Sequence, residues 1–206
     1  MGKIKIIGMG PGHEKYVLPI GREALESSDV LIGAMRYLNV FGKDSQVLIP
    51  LTSPYTDIIK IIEGYKKNKN IAVLVSGDAS FYSFTNYIKR HFDKEELEII
   101  PGVSSIQYMY SRIGLSYENA YFTSFHGRKG YIPKMEKPFY SIAFLTDQYW
   151  TPEKIAQYAL QAQHVYQWMY IGENLSYEHE TINKMTLETG QNYRTSQINV
   201  VILSDE

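Results

Sequence analysis

The sequence predicts an α/β protein with a parallel, doubly wound sheet in its first half and a mixed α/β second half. Three observations carry this. Ile71 to Val75 is a continuous apolar run that stops abruptly at Ser76-Gly77-Asp78, as a strand buried on both faces does before its carboxyl-end loop. Strand and helix patterns alternate from Lys3 to Arg112, which favours a parallel sheet with helical crossovers. Beyond Asn119 strands follow one another with little helix between them, so mixed or antiparallel pairing is expected there. The expected units are 1–116 and 117–206.

Taken in order, Lys3 to Gly8 is a strand entering the loop Gly8-Met9-Gly10-Pro11-Gly12-His13. A dinucleotide fingerprint would need a third glycine where His13 stands, and Pro11 removes an amide that a phosphate would use. The loop is therefore a poor pyrophosphate cradle, and NAD is not expected. A helix is expected over Val17 to Ser28 with Val17, Leu18, Ala24 and Leu25 on its buried face, then a strand over Asp29 to Gly33. Ser53-Pro54 begins a helix with Ile58, Ile59, Ile61, Ile62 and Tyr65 on its apolar side. After the Ser76–Asp78 turn, Phe81 to Phe92 reads as a helix, Leu97 to Ile100 as a strand, and Val103 to Arg112 as a helix capped by Gly114. In the second half, strands are expected at 120–125, 139–146, 165–171, 181–187 and 198–203, with a helix starting at Thr151-Pro152.

Composition narrows the function. The chain has 206 residues, 44% hydrophobic and 21% charged, with a formal net charge of −1. That balance speaks against a general nucleic-acid or membrane-surface binder. There is no cysteine, which excludes disulfides, thiolate zinc sites and thiol catalysis. The Glu178-His179-Glu180 triplet reads as a solvated edge rather than a metal site, because strand alternation would put His179 opposite the two acids. No apolar run reaches the length of a membrane span, and the N-terminus enters a strand directly, so a cytoplasmic location is expected.

The loops Gly8–Gly12, Ser76–Tyr82 and Pro101–Ser105 are joined by Ser124-Phe125-His126-Gly127-Arg128, Phe144-Leu145-Thr146-Asp147 and Gly172-Glu173-Asn174-Leu175. In this order they resemble the tetrapyrrole methylase family, a two-domain class of S-adenosylmethionine-dependent methyltransferases. Within it, the PGVSS and FHGR segments look most like the CbiE-type enzymes of cobalamin synthesis. The sequence departs from the family pattern at His13, where an acid is usual, at Ala79, where proline is usual, and at Ser80, where glycine is common.

The resemblance implies C-methylation of a corrin-ring precursor, cobalt-precorrin-7 at carbon 5, with S-adenosylmethionine as cofactor. It implies cofactor contacts from Gly77, Asp78, Ala79, Phe81, Tyr82, Ser104, Ser105 and Thr146. Substrate contacts fall to Gly10, Pro11, Arg36, His126 and Arg128, and no catalytic residue is assigned. A homodimer is implied, and since the chain ends at Glu206 the decarboxylating C(15)-methyltransferase of the pathway is expected on a separate protein. Read from the residues alone, alternatives stay open: Phe81 and Tyr82 suit a core equally, Thr146 a turn cap, Arg36 an ordinary surface charge, and His126 a structural role. Asp78 either caps a following helix or faces the cofactor. Two other functions also stay open: a related enzyme acting on ribosomal RNA or a translation factor, and a non-enzymatic nucleotide-binding module.

Overall fold

A computed structural model describes residues 3–52, 54–125, 140–163 and 166–206. The chain divides into two compact units, Met1–Ser104 and Ser105–Glu206. The first holds β1 (Ile4–Gly8), α1 (Pro19–Glu26), β2 (Val30–Gly33), α2 (Met35–Phe41), β3 (Val47–Pro50), α3 (Tyr55–Tyr65), β4 (Ile71–Val75), α4 (Thr85–Ile88) and β5 (Leu97–Ile100). Its five strands run in the order β3-β2-β4-β1-β5, and every pairing is parallel.

Alternation along the strands explains why they read as unbroken apolar runs. Ile4, Ile6, Val30, Ile32, Ile71 and Val73 pack with Ile58, Ile59 and Ile62 of α3. Their neighbours Ile7, Leu31, Ala72 and Leu74 pack with Ala24 and Leu25 of α1 and Tyr37 and Leu38 of α2. Both faces are covered, so β2 and β4 carry no polar residue, and β1 carries one, Lys5, whose Nζ reaches Ser27 Oγ. The order also locates a switch point. The chain leaves β1 toward β2 and leaves β4 toward β5, so these neighbours send their crossovers in opposite directions. In such sheets the crevice beyond the carboxyl ends is the usual ligand site.

The second unit holds α5 (Ser105–Ile113), β6 (Ala120–Ser124), β7 (Ser141–Leu145), α6 (Pro152–Gln161), β8 (Trp168–Glu173), β9 (Thr181–Thr186), α7 (Leu187–Gly190) and β10 (Asn199–Ser204). The strand order is β6-β7-β10-β8-β9; β6 and β7 are parallel and the remaining pairs antiparallel. Ile155, Ala156 and Ala159 of α6 pack with Phe144, Met169, Ile171, Val201 and Leu203. On the other face, α5 packs on β7 and β10. Gly172 admits it there, since a Cβ at that position would lie 2.4 Å from Met109 Sδ.

The break between units thus falls earlier than the expected 116/117. The reason is α5, which buries Ile106, Met109 and Tyr110 within the second unit at roughly 1.5–3 kcal/mol for each large side chain. Tyr110 Oη also meets Ser141 Oγ at 2.6 Å, and burial pushes the phenol up to about 12.

Two other expectations change, and two elements were not expected at all. The Phe81–Phe92 helix shrinks to α4, because Tyr82 adopts φ +49° and Ser83 Oγ accepts from Thr85 N, both competing with a continuous helix. The strand expected at 165–171 begins later, at Trp168. Strand β3 and helix α2 carry no readable period, since Val47 and Leu48 on edge strand β3 are exposed. Among the described residues, no helix is long and apolar enough to cross a membrane.

The loops at the switch point meet backbone to backbone. A Cβ at Gly102 would lie 2.4 Å from Gly77 O, and one at Gly8 would lie 2.7 Å from Gly102 N. Gly102→Ala is therefore expected to lower the unfolding free energy by about 1–3 kcal/mol or more. Gly64→Ala, in an exposed turn of α3 with nothing within 4 Å, should raise it by about 0.5–1 kcal/mol. Denaturant titration of the pair checks this; equal effects at the two glycines would contradict the packing.

Candidate active site

The candidate site in the first unit is assembled from the residues that end β1, β4 and β5. Met9 N donates to Val75 O at 2.8 Å, Gly10 N to Gly77 O at 3.1 Å, and Gly77 N to Gly10 O at 2.8 Å. This two-way bridge needs Gly10 at φ +79° and Gly77 at φ +67°, where a side chain is disfavoured. Asp78 then ties in the third loop: its Oδ2 accepts from Gly102 N at 2.9 Å and its Oδ1 from Ser80 N at 2.7 Å. The carboxylate does not cap α4, whose N-cap is Phe84. Its two oxygens brace one loop against another.

Around this brace the predicted residues divide. Ser76 is exposed and Gly77 half-buried. Ala79 is buried with the α3 side of the core, so only its backbone is available to a ligand. Phe81 and Tyr82 meet edge to face at 4.8 Å, with Tyr82 exposed. Ser104 is buried at the end of the first unit, and Ser105 opens α5 in the second. Pro11 is half-buried beside Gly10. His13 takes a local role: its Nδ1 accepts from Lys15 N at 3.1 Å and caps a short 3-10 turn. Arg36, near the start of α2, reaches Ser76 Oγ with Nη2 at 2.6 Å. His126 and Arg128 lie outside the described residues.

In the second unit, Thr146 Oγ1 lies 2.7 Å from Asn199 O and 2.8 Å from Asn199 Oδ1. Next along the same sheet end, Glu173 stands opposite Asn199 and Thr181. Thr181 Oγ1 donates to Glu173 Oε2 at 3.1 Å. Glu173 Oε1 is buried and has no donor in good geometry among the described residues. Burial, and then the negative charge of Glu173, push the Tyr193 phenol up. Thr146, Asn199, Glu173 and Thr181 thus form a polar row of which sequence reasoning named Thr146 and, through the Gly172–Leu175 motif, pointed to Glu173, but missed Asn199 and Thr181.

The Glu178–Glu180 triplet is not a strand edge. It lies in a turn after Asn174 and Ser176, which adopt φ +47° and +73°. Glu180 accepts from Ser176 N at 2.6 Å and pairs with Arg112 Nε at 2.7 Å. Among the described residues no group of three or more acids and histidines is arranged to hold a metal.

A parallel sheet with glycine-braced loops at its switch point, followed by a mixed-sheet unit, defines a two-unit α/β class. The chain matches the model for the Tetrapyrrole (Corrin/Porphyrin) Methylases over residues 3–190, and it belongs to that family. The cobalt-precorrin-7 C(5)-methyltransferase of Salmonella typhimurium is 29% identical over 204 residues, covering 98% of this chain and 99% of that protein. Uroporphyrin-III C-methyl transferase of Thermus thermophilus, solved with S-adenyl homocysteine, has a TM-score of 0.82 at 15% identity, covering 99% of this chain and 98% of that one. The precorrin-6Y methylase (cbiE) of Archaeoglobus fulgidus has a TM-score of 0.74 at 20% identity, covering 99% and 98%. At these identities the two solved structures establish the fold.

Two predictions follow from the site's geometry. Asparagine caps helices about as well as aspartate, but in Asp78→Asn an NH2 group would face one of the two backbone amides. The variant should lose about 1–3 kcal/mol of stability, measured by denaturant unfolding; unchanged stability would remove the brace from the account. For Glu180, burial opposes ionisation, but hydrogen bonds from Tyr108 and Ser176 and the Arg112 contact together lower its pKa from the ordinary 4.5. A carboxyl lowered on folding stabilises above its unfolded pKa, and that contribution is lost as pH falls through the folded value. Glu180→Gln should therefore flatten the acid limb of the stability–pH curve below about 4.5, read by thermal melts between neutral pH and the acid transition.

Proposed function

We propose that the chain is an S-adenosylmethionine-dependent C-methyltransferase acting on cobalt-precorrin-7 at carbon 5, in cobalamin biosynthesis. The observation that carries this reading is the end-to-end match to the Salmonella typhimurium enzyme, at 29% identity over 98% of this chain. The homologue bound to S-adenyl homocysteine supports the cofactor, as does the character of the loops. Ser76, Gly77, Ser80 and Ser104 offer neutral hydroxyls and peptide groups, and Phe81 and Tyr82 offer aromatic surface. Such a donor set suits an adenosine and an amino-acid tail better than a row of phosphates.

In this reading Gly77, the Ala79 backbone, Phe81, Tyr82 and Ser104 hold the cofactor. Ser105 and Thr146 are proposed contacts on resemblance. Asp78 acts through the loop, keeping the Gly77 and Gly102 peptides in place. Gly10, Pro11 and Arg36 are assigned to the macrocycle, as are His126 and Arg128 outside the described residues. S-adenosylmethionine supplies a methyl group already activated as a sulfonium, so the chain need not activate the donor. Its residues align the two reactants and exclude water, which can lower a barrier by about 7–11 kcal/mol. We further propose a cytoplasmic homodimer, with the C(15) methylation and decarboxylation performed by a separate protein.

Mass spectrometry of products formed from a panel of corrin precursors and S-adenosylmethionine tests the assignment. One added methyl on cobalt-precorrin-7, located at carbon 5 by NMR, is expected. Methylation of RNA or a translation factor instead would overturn it.

A further inference from the structure

We propose that Glu180 and Arg112 are positioning residues for the cofactor: they fix the turn Asn174–Ser176, and through it the start of β10 and Thr146. The inference rests on the S-adenosylmethionine reading above and adds to it two residues that lie outside the loop motifs.

The turn is held against its own preference. It follows β8 directly, and Asn174 and Ser176 both adopt left-handed backbone, at φ +47° and +73°. Asparagine tolerates that region, but serine is disfavoured there, and Ser176 is buried. Leu175 between them is also buried and folds back over β8, since a Cβ on Gly172 would lie 2.7 Å from its Cδ2. Glu180 supplies the restraint. Its Oε2 accepts from Ser176 N at 2.6 Å, and its own N donates to Tyr177 O at 3.1 Å. Its Oε1 accepts from Arg112 Nε at 2.7 Å, and Tyr108 donates to the same carboxylate. Residues 108 and 112 lie one helical turn apart, on one side of α5. The carboxylate is thus shared by turn and helix, with its side chain only 12% exposed. Without it, the amide of a buried serine loses its acceptor.

From this turn a chain of hydrogen bonds leads to a proposed cofactor contact. Asn174 N donates to Ile198 O at 2.9 Å, and Asn174 Nδ2 donates to Gln197 Oε1 at 3.0 Å. Asn199 Nδ2 donates to Gln197 O at 2.8 Å, and Thr146 Oγ1 reaches Asn199 O and Oδ1. A shift of Asn174 therefore moves the start of β10 and, with it, the partner of Thr146. At its other end the brace grips α5, which Ser105 opens; Ser105 is the second cofactor contact proposed in this unit. One carboxylate stands behind both. An ion pair whose arginine is half exposed adds little to stability by itself, so the value of this one lies in the shape it imposes.

The test is calorimetric binding of S-adenosylhomocysteine at neutral pH to the intact chain and to Glu180→Ala, Glu180→Gln, Arg112→Met and Thr186→Ala, with folding checked by circular dichroism. Thr186 is the control: it caps α7 through Thr189 N and pairs with Trp168 at the opposite end of the sheet. Glu180→Ala should weaken binding about tenfold, and Arg112→Met about two- to fivefold. Glu180→Gln keeps an acceptor for Ser176 N and should recover part of the loss. Thr186→Ala should lower the melting temperature and leave the affinity unchanged. Amide hydrogen exchange should quicken at Ser176 in Glu180→Ala and not in Thr186→Ala. In steady-state methyl transfer to cobalt-precorrin-7, Glu180→Ala should raise the KM for S-adenosylmethionine with the KM for the macrocycle little changed. Unchanged affinity in Glu180→Ala overturns the inference, as does an equal loss in Thr186→Ala, which would make any loss of stability sufficient. An intact chain that fails to bind S-adenosylhomocysteine overturns the methyltransferase reading and this inference with it. Binding that depends on Glu180, without methyl transfer to cobalt-precorrin-7, keeps the brace and overturns the proposed reaction.

Discussion

The first unit depends on one close contact: three strand-end loops that meet through peptide groups with no side chain between them. Gly77 O accepts from Gly10 N at 3.1 Å and lies where a Cβ on either Gly8 or Gly102 would have to go. Any residue larger than glycine at those two positions forces the ends of β1, β4 and β5 apart. Because the three strands are otherwise in parallel register, with Gly8 opposite Val75 and Ile7 opposite Ile100, the displacement cannot be absorbed by a local slip. The surrounding core is close-packed and resists it.

Asp78 makes that contact directional. Peptide-to-peptide packing brings loops together but leaves their orientation soft. A carboxylate that accepts one amide from its own loop and one from the β5 loop fixes both at once. Charged acceptors form shorter and stronger bonds to backbone N–H groups than neutral ones. The result is a set of strand ends held by rigid elements, the arrangement that keeps a ligand-binding geometry within a fraction of an ångström. Ser76 and Arg36 extend the same framework outward to β2 and α2, so the exposed cation inherits its position from the buried strands.

Much of this was legible in the sequence, for reasons that differ by element. The central strands were, because burial on both faces leaves a run such as Ile71–Val75 with no polar interruption. The helix start at Thr151-Pro152 was too, since threonine capping and proline in the first turn act locally. Strand β3 and helix α2 were not, because an edge strand with Val47 and Leu48 exposed carries neither alternation nor a continuous run. The Phe81–Phe92 segment has helical spacing, yet side-chain bonds from Ser83 and the left-handed Tyr82 cut it to one turn. At the site, residue types gave the loops but not the pairings. That Asp78 reaches Gly102, 24 positions away in the chain, follows from strand order alone. So does the meeting of Arg36 with Ser76.

The two units end their sheets in opposite ways, and the difference decides how each tolerates change. In the first, glycine peptides touch directly, so the constraint is steric and admits no added atoms. In the second, the strand ends are closed by side chains: Thr146 to Asn199, and Thr181 to Glu173. Such a row tolerates a change of shape but not the loss of a partner, since buried polar atoms are costly only when unpaired. Glu173 marks where that balance is tightest. One of its oxygens is paired with Thr181 and the other is buried without a well-placed donor, while burial and then its charge push the Tyr193 phenol up. A carboxylate kept in such surroundings adds little to stability compared with an apolar residue of similar size. Its placement at the strand end, level with Asn199 and Thr181, is therefore not a demand of the core.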